Sequence, residues 1–534
     1  MLLTLDRLTI YSSLPIGALC IAFQDHYVAF ADLLGYGKKS PALPGERWTA
    51  VSIQHELGPF ISSNSSVLGP DDVRWPLVTE RYSTLGVPDV HVVIQPAVES
   101  DLQTIVKYAN ENEIPFMVVN RGHALTKTVS SFSGIQIDMK ALTRIDVQPD
   151  GKTAWMQGGA FNGAVIDELW EQGYVTSTGS CACVGMVGPM LGGGHGRYQG
   201  LYGLLIDNVV NLDVVLADGA EVRVNATNGY SDLFWAMRGA GHNFGVVTRF
   251  EMRIYPRSDL PDWYYHNYVF QGDRLEALFD ALNAYQNNGS TPPRMAINEG
   301  IFTVDPAFGS QPIIFWSFAY VGSPADAERH LAPFNALGAE WEDKGAVSLP
   351  ELAAVQKTGL EDELCAPGRT HVMATAGIQA YNVTVQREIY DLFVRNVALH
   401  PELGATWVLH EGYSVEAVRK VDPAASAYAQ RDDYLLMLFD AGIADDSPLR
   451  GFVETWAAQT RDLWNAGQPG RLPTTYMPYA AGDESLESMY GYEPWRLERL
   501  RRLKAKYDPY NRFGYYNPIP HMAESNGYPQ SEEL

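Results

Sequence analysis

Three glycine-rich stretches have the residue types to hold a pyrophosphate. They are Arg121-Gly122-His123, the run from Gly179 to Gly196, and Arg238-Gly239-Ala240-Gly241-His242-Asn243-Phe244-Gly245. A pyrophosphate needs backbone N–H groups at close range, and glycine permits that approach. None reads G-x-G-x-x-G between a strand and a helix with an acid downstream, and none is a Walker A loop. Singly each is a turn signal; their common placement beside predicted strands and helices gives them weight. Cys181 and Cys183 lie inside the second run, separated by one residue, a spacing that rarely bridges. A thiolate at either position is a nucleophile if its surroundings lower its pKa. His195 and His242 sit beside glycine and are expected to pack or hydrogen-bond there. Neither has further ligands at metal-binding spacing. Tyr476 and Tyr479 could accept a proton if a cation lowered the phenol from about 10.

These residues need elements to aim them. Residues 88–138 read as a β-α-β-β series. Val90–Ile94 is an apolar strand closed by Pro96, and Ser100 stands as an N-cap with Gln103 at the capping-box position. Leu102, Ile105, Val106 and Ala109 share one helical face. Pro115–Val119 is the strand that delivers His123, and Ile135–Met139 is another. Ala164–Trp170 is helical, Val209–Leu216 is a strand, and Ala217-Asp218-Gly219 is a turn. A helix at Asp232–Met237 and a strand at Val246–Ile254 follow. From about 258, aromatic strand-like runs (Ile313–Tyr320, Tyr434–Phe439) alternate with helices (274–285, 325–337, 385–397), which reads as an α+β part with its own sheet.

The ordered segments are similar to a known family. PFMVVNRGHAL (115–125), GSCACVGMVGPMLGGGHGRYQGLYGLLIDNVV (179–210), SDLFWAMRGAGHNFGVVTRFEMRIYP (231–256) and KYDPYNRFGYYNPIP (506–520) resemble the berberine-bridge-enzyme-like branch of the vanillyl-alcohol-oxidase flavoproteins. The resemblance implies an α+β chain: a two-part FAD-binding domain of the PCMH type with an inserted substrate domain on an antiparallel sheet. It divides the chain into 1–45 (leader or N-terminal segment), 46–257 (FAD-binding), 258–474 (substrate-binding) and 475–534 (return to the FAD-binding part). It implies that His123 bonds the 8α carbon of the flavin, and that Cys181 stands where some members make a second bond to ring carbon 6. Gly122, Gly185, Gly188 and Gly245 become neighbours of the pyrophosphate or ring, Asn517 touches the flavin, and Met190 lies near its face.

The chain also departs from the family. Arg121 stands where many members have glycine, and Ala182-Cys183 replaces the common Pro-Thr, so either cysteine could be the one that reacts, or neither. The strand that carries a catalytic acid in some members reads Leu436-Met437-Leu438 here. That leaves Tyr476 and Tyr479, with Pro478 where asparagine is common. The resemblance implies an oxidase passing hydride from an alcohol, sugar or secondary metabolite to FAD, with oxygen as acceptor and peroxide as product. A redox-neutral isomerase or cyclase on the same scaffold stays open because that strand lacks an acid.

Bulk properties set outer bounds. A net charge of −24 over 534 residues repels phosphate backbones and argues against nucleic acid as partner. The one basic stretch, Arg496–Lys506, carries Leu497, Leu500 and Leu503 at helical spacing and reads as a helix with a solvated face. Four cysteines (Cys20, Cys181, Cys183, Cys365) are too few for a disulfide scaffold. The apolar Leu8–Phe23 followed by Ala29-Phe30-Ala31 resembles a leader with a cleavage site, interrupted by Gln24-Asp25-His26. Four sequons, at Asn64, Asn225, Asn288 and Asn382, also point to the secretory pathway, with the cytoplasm as the alternative. Outside the leader no apolar run is long enough to span a bilayer.

Overall fold

The computed structural model describes residues 48–520. The leader reading and Cys20 lie outside them. All geometry below belongs to the compact unit that begins at Ala50.

The first sheet joins β1 (Ser66–Leu68), β2 (Asp89–Gln95), β3 (Phe116–Val119) and β4 (Ser133–Asp138) in the order β1-β2-β4-β3. β2 and β3 both run parallel to β4, so each return needs a crossover. The helix Asp101–Glu111 supplies one and buries Leu102, Ile105, Val106 and Ala109, as their spacing requires. Ser100 makes no side-chain cap, contrary to the capping-box expectation. Asp101 does the tying instead: its carboxylate accepts from Ser62 N at 2.8 Å and Ser65 Oγ at 2.6 Å.

Next come β5 (Ile145–Val147), β6 (Thr153–Gln157), β7 (Tyr174–Val175), β8 (Val209–Val215), β9 (Glu221–Asn225), β10 (Val246–Arg253) and β11 (Tyr255–Pro256). β7 and β11 pair as a ribbon, and the other five form an antiparallel sheet ordered β5-β6-β10-β8-β9. Gly219, at φ +81°, turns the β8–β9 hairpin.

The third sheet holds β12 (Trp263–Phe270), β13 (Met295–Val304), β14 (Pro312–Val321), β15 (Trp341–Val347), β16 (Thr370–Ile378), β17 (Thr406–Gly412) and β18 (Leu435–Ile443). Its order is β15-β12-β14-β13-β17-β18-β16, antiparallel throughout. Helices cover one face: Phe279 packs edge-on against Trp316, and Trp456 against Phe439. Side chains alternate along a strand, so Glu299, Leu409, Glu411, Leu438, Asp440 and His371 point to the other face.

The helix Pro494–Tyr507 buries Leu497, Leu500 and Leu503. It also buries Arg496 and Lys504, so the basic stretch is more than a solvated face. Lys504 Nζ lies 2.6 Å from Asp508 and donates to the carbonyls of Asn243 and Phe513. That buried cation anchors the terminal segment. Among the described residues no helix is long and apolar enough to cross a membrane.

Candidate active site

β3 ends at Val119 and releases the loop that carries His123. Gly122 takes φ +74°, and a Cβ there would stand 3.0 Å from the carbonyl of Glu80. His123 Nδ1 lies 3.2 Å from the Arg121 carbonyl, and Nε2 is buried with no partner within the chain. Burial, with Arg121, Lys140 and His371 nearby, pushes the imidazole down to about 4. The ring is therefore neutral at physiological pH and keeps a nucleophilic lone pair. Arg121 stacks over Phe161 at 3.9 Å. With Arg81, Lys140, His123 and Cys183 it lines a cavity of about 370 Å³.

The second glycine run closes over this loop. Asn162 holds it at two points, accepting from Gly179 N at 3.1 Å and donating to the Cys181 carbonyl at 2.9 Å. A Cβ on Gly185 would meet the Asn120 side chain at 2.6 Å, which explains the glycine and brings the two loops together. A Cβ on Gly188 would meet nothing within 4 Å, so that backbone borders open space. Gly245 differs: its Cβ would strike Val214 at 2.5 Å, so its smallness serves sheet packing. Met190 lies in the main core.

The cysteines separate. Cys183 pairs with Cys365 across 182 residues, which removes Cys183 as a reactive alternative; Cys181 and Cys183 do not bridge each other. The short Cys181–Cys183 spacing gave no hint of a distant partner. Cys181 is free. Burial, then Glu411 and Glu299, push its thiol up to about 12, so it is protonated and any second flavin bond needs a base.

The terminal segment returns to the His123 loop through Asn517. Its backbone N–H donates to Thr128 Oγ1 at 3.1 Å, its Oδ1 accepts from Thr126 at 2.9 Å, and its Nδ2 donates to the Met477 carbonyl. Asn517 thus stitches the terminal segment to the loop after His123.

The tyrosines need correction. Burial raises the phenols of both Tyr476 and Tyr479, so neither is a phenolate. Tyr476 accepts from His195 N in the glycine run at 3.2 Å. Tyr479 donates to Glu411 at 3.0 Å. The strand at 436–438 has no acid of its own, but Glu411 stands on β17 directly opposite Leu436 of β18. Its cross-strand partner on β13 is Glu299. Burial first, then the proximity of Glu299, raises Glu411 above the ordinary carboxylate range; burial raises Glu299 against the pull of Arg197. The acid inside the apolar run Trp407-Val408-Leu409-His410-Glu411 is the sequence signal for this position. Beside the pair, Leu125, Met373, Trp407, Leu409 and Leu438 pack with Tyr82 and Tyr479 into an apolar wall. His195 and His242 are structural: His195 bridges Gln199 and Tyr428, and His242 stacks on Tyr516 at 4.4 Å.

A neutral histidine with an orphaned ring nitrogen, two interlocked glycine loops and a facing carboxylate fit a flavin held between the loops and the third sheet. Comparison agrees. Residues 90–225 match the FAD binding domain family and 475–520 the berberine and berberine-like family. The FAD-linked oxidoreductase anuG of Penicillium roqueforti is 53% identical over 88% of this chain and 92% of its own length. The FAD-linked oxidoreductase OXR2 of Pyricularia oryzae is 50% identical over 91% and 94%. In fold, a chitooligosaccharide oxidase superposes with TM-score 0.74 at 21% identity, covering 88% of this chain and 99% of its own. The glucooligosaccharide oxidase of Acremonium strictum, described with a 6-S-cysteinyl, 8α-N1-histidyl FAD, gives 0.75 at 21% over the same shares. This chain belongs to the FAD-linked oxidoreductases. It is an enzyme, and FAD is its cofactor.

Proposed function

We propose that the enzyme is an oxidase that removes hydride from the carbinol carbon of a small, largely apolar alcohol, with dioxygen as final acceptor and peroxide as product. The observation that carries this is the Glu411–Tyr479 pair, set on the sheet face that looks toward Cys181 and the glycine loops. FAD supplies the hydride acceptor when bound. Glu411 takes the hydroxyl proton, and Tyr479 donates to the resulting carboxylic acid's other oxygen and fixes its orientation. Arg121, Gly122, Gly185, Gly188 and Asn517 hold or brace the cofactor loops, His123 forms the flavin link, and Cys181 is the site of a second bond. Gly245 supports the sheet behind them. Residues 46–257 and 475–534 act as the cofactor part and 258–474 as the substrate part. The apolar wall favours an aromatic or alkyl body over a sugar, whose hydroxyls need polar partners. Secretion is supported by the Cys183–Cys365 bridge, which persists in oxidising compartments, and by exposed Asn64 and Asn288.

The test is a screen of alcohols, sugars and phenolic metabolites on the purified yellow protein, read by peroxide release. If substrate-reduced enzyme stays reduced for minutes in air yet reoxidises with a dye, it is a dehydrogenase and the oxidase reading is wrong.

A further inference from the structure

Tyr82 is tied to both halves of the site. Its backbone N–H donates to the Gly122 carbonyl at 3.1 Å, next to His123. On its other side, Gly368 N donates to the Arg81 carbonyl at 3.1 Å and Thr84 N to the Arg369 carbonyl at 2.9 Å. His371 N donates to Ser83 Oγ at 3.3 Å. The phenol ring lies between two imidazoles. It stacks on His123 with centroids 5.1 Å apart and planes 18° apart, and on His371 at 4.3 Å and 18°. His371 Nδ1 donates to Asp440, 2.8 and 3.0 Å from its two oxygens. The same carboxyl is fully buried, and burial together with its charge raises the Tyr82 phenol. His371 lies on β16 and Asp440 on β18, both in the third sheet.

We propose that Tyr82, backed by His371 and Asp440, is the positioning residue for the His123 ring, so that the substrate sheet sets the geometry of covalent flavin attachment. This rests on reading His123 as the link. His123 has one hydrogen bond, through Nδ1, and nothing on Nε2. A single bond to a carbonyl leaves the ring plane loosely set, since the sp³–sp² torsion of histidine is broad. The flat contact with Tyr82 fixes that plane, and with it the direction of the in-plane lone pair. In the attachment reaction an N–C bond forms between the imidazole and the 8α carbon. The imidazole N–H and one methyl C–H break, and the two hydrogens with their electrons pass to dioxygen, giving hydrogen peroxide. The low basicity imposed on His123 by burial keeps the attacking nitrogen unprotonated. The competing reading is that Tyr82 merely walls the pocket, in which case its loss alters KM and leaves attachment intact.

The test uses full-length protein bearing Tyr82→Leu, Tyr82→Phe, His371→Leu or Asp440→Asn, with His123→Ala as control. The readout is the fraction of the His123 peptide carrying flavin mass, followed over time, together with total bound flavin and thermal midpoint. Tyr82→Leu is expected to attach flavin ~10–100-fold more slowly, the scale of a misplacement near 1 Å, while still binding it non-covalently. Tyr82→Phe keeps the stack and rescues most of that loss; Asp440→Asn, which loosens the backing, falls between. Attachment in Tyr82→Leu at the wild-type rate overturns the proposal, and so does a Tyr82→Phe defect as large as the leucine one. If Tyr82→Leu yields no soluble protein, His371→Leu decides by the same reading, since it leaves Tyr82 in place and removes its support. A wild-type His123 peptide without flavin is a different failure: it overturns the His123 link itself.

Discussion

Replacing Glu411 should abolish most of the rate, and replacing its two neighbours should move the pH profile in opposite directions. Glu411 accepts a proton only when ionised. Burial and Glu299 raise its pKa, so kcat/KM should climb as pH rises through the neutral range and then level off. Glu411→Gln removes the acceptor and should lower the rate of substrate-driven flavin bleaching by ~10²–10⁴-fold. Tyr479 donates to the carboxylate at 3.0 Å, which favours the ionised form. A hydrogen bond to a charged group is worth about 1.5–3 kcal/mol. At about 1.36 kcal/mol per pH unit, Tyr479→Phe should shift the rising limb up by roughly 1–2 units. Glu299→Gln removes a like charge across the strand pair and should shift that limb down. The two carboxyls titrate as a pair, so the quantity to compare is the displacement between variants. The assay is anaerobic stopped-flow at 450 nm as a flavin absorbance of about that wavelength bleaches under substrate, from acid to alkaline buffers. An upward shift in Glu299→Gln, or an unchanged rate in Glu411→Gln, would refute this assignment of the proton acceptor.

Other consequences are checked more directly. His123→Ala should release most flavin on acid precipitation unless Cys181 also binds it; in that case only adding Cys181→Ala frees the remainder. Cys183→Ser or Cys365→Ser should cost about 2–5 kcal/mol, read as a lower midpoint in denaturant, because the bridge spans a long loop. Lys504→Met leaves Asp508 buried without its cation and should cost about 3–5 kcal/mol, with loss of flavin from the loosened terminal segment. Expression in a eukaryotic host followed by glycosidase treatment should sharpen and lower the band; no shift, with an intact Met1, places the chain in the cytoplasm.

What the sequence revealed followed from local signals. Short apolar runs and helical spacing located β2, β8 and the helix Asp101–Glu111, and the turn at Gly219 ended β8 as expected. The loops were legible because a glycine forced by close approach leaves a mark in the chain itself, as Gly122 and Gly185 do. The residues that read poorly are those whose meaning depends on a partner far away. Cys183 looks like a loop thiol until Cys365 is placed beside it. Tyr476 and Tyr479 carry the right functional group, but burial keeps both phenols protonated; Tyr479 donates to Glu411, and Tyr476 accepts from His195 N. Glu411 sits one strand over from where an acid was sought, a displacement invisible without the register that sets it opposite Leu436.

That register also explains how the two halves of the site stay aligned. Among the described residues, the cofactor part and the third sheet share no strand pairing beyond the bridge of Ser83 to Arg369. A flavin held by the loops would therefore be free to drift relative to Glu411 unless other ties fix it. Several ties do so. Cys183–Cys365 joins the glycine run to the segment that leads into β16. Ala182 N donates to the Thr358 carbonyl at 2.9 Å, and buried Arg197 reaches Gln356 and Thr358 from the same run. Tyr82 joins Gly122 to His371, which Asp440 holds. Hydride transfer demands near-contact geometry between donor carbon and acceptor, and an error of about 1 Å is costly. Removing one tie should therefore lower kcat more than it lowers stability, whereas an equal-sized cavity on the helix-covered face, such as Phe439→Leu, should do the reverse. Thr358→Ala removes the Oγ1 bonds to Arg197 and to the Ser180 carbonyl, so measuring both quantities on it and on Phe439→Leu separates alignment from bulk stability; proportional losses in the two variants would mean that the ties act only by holding the fold together.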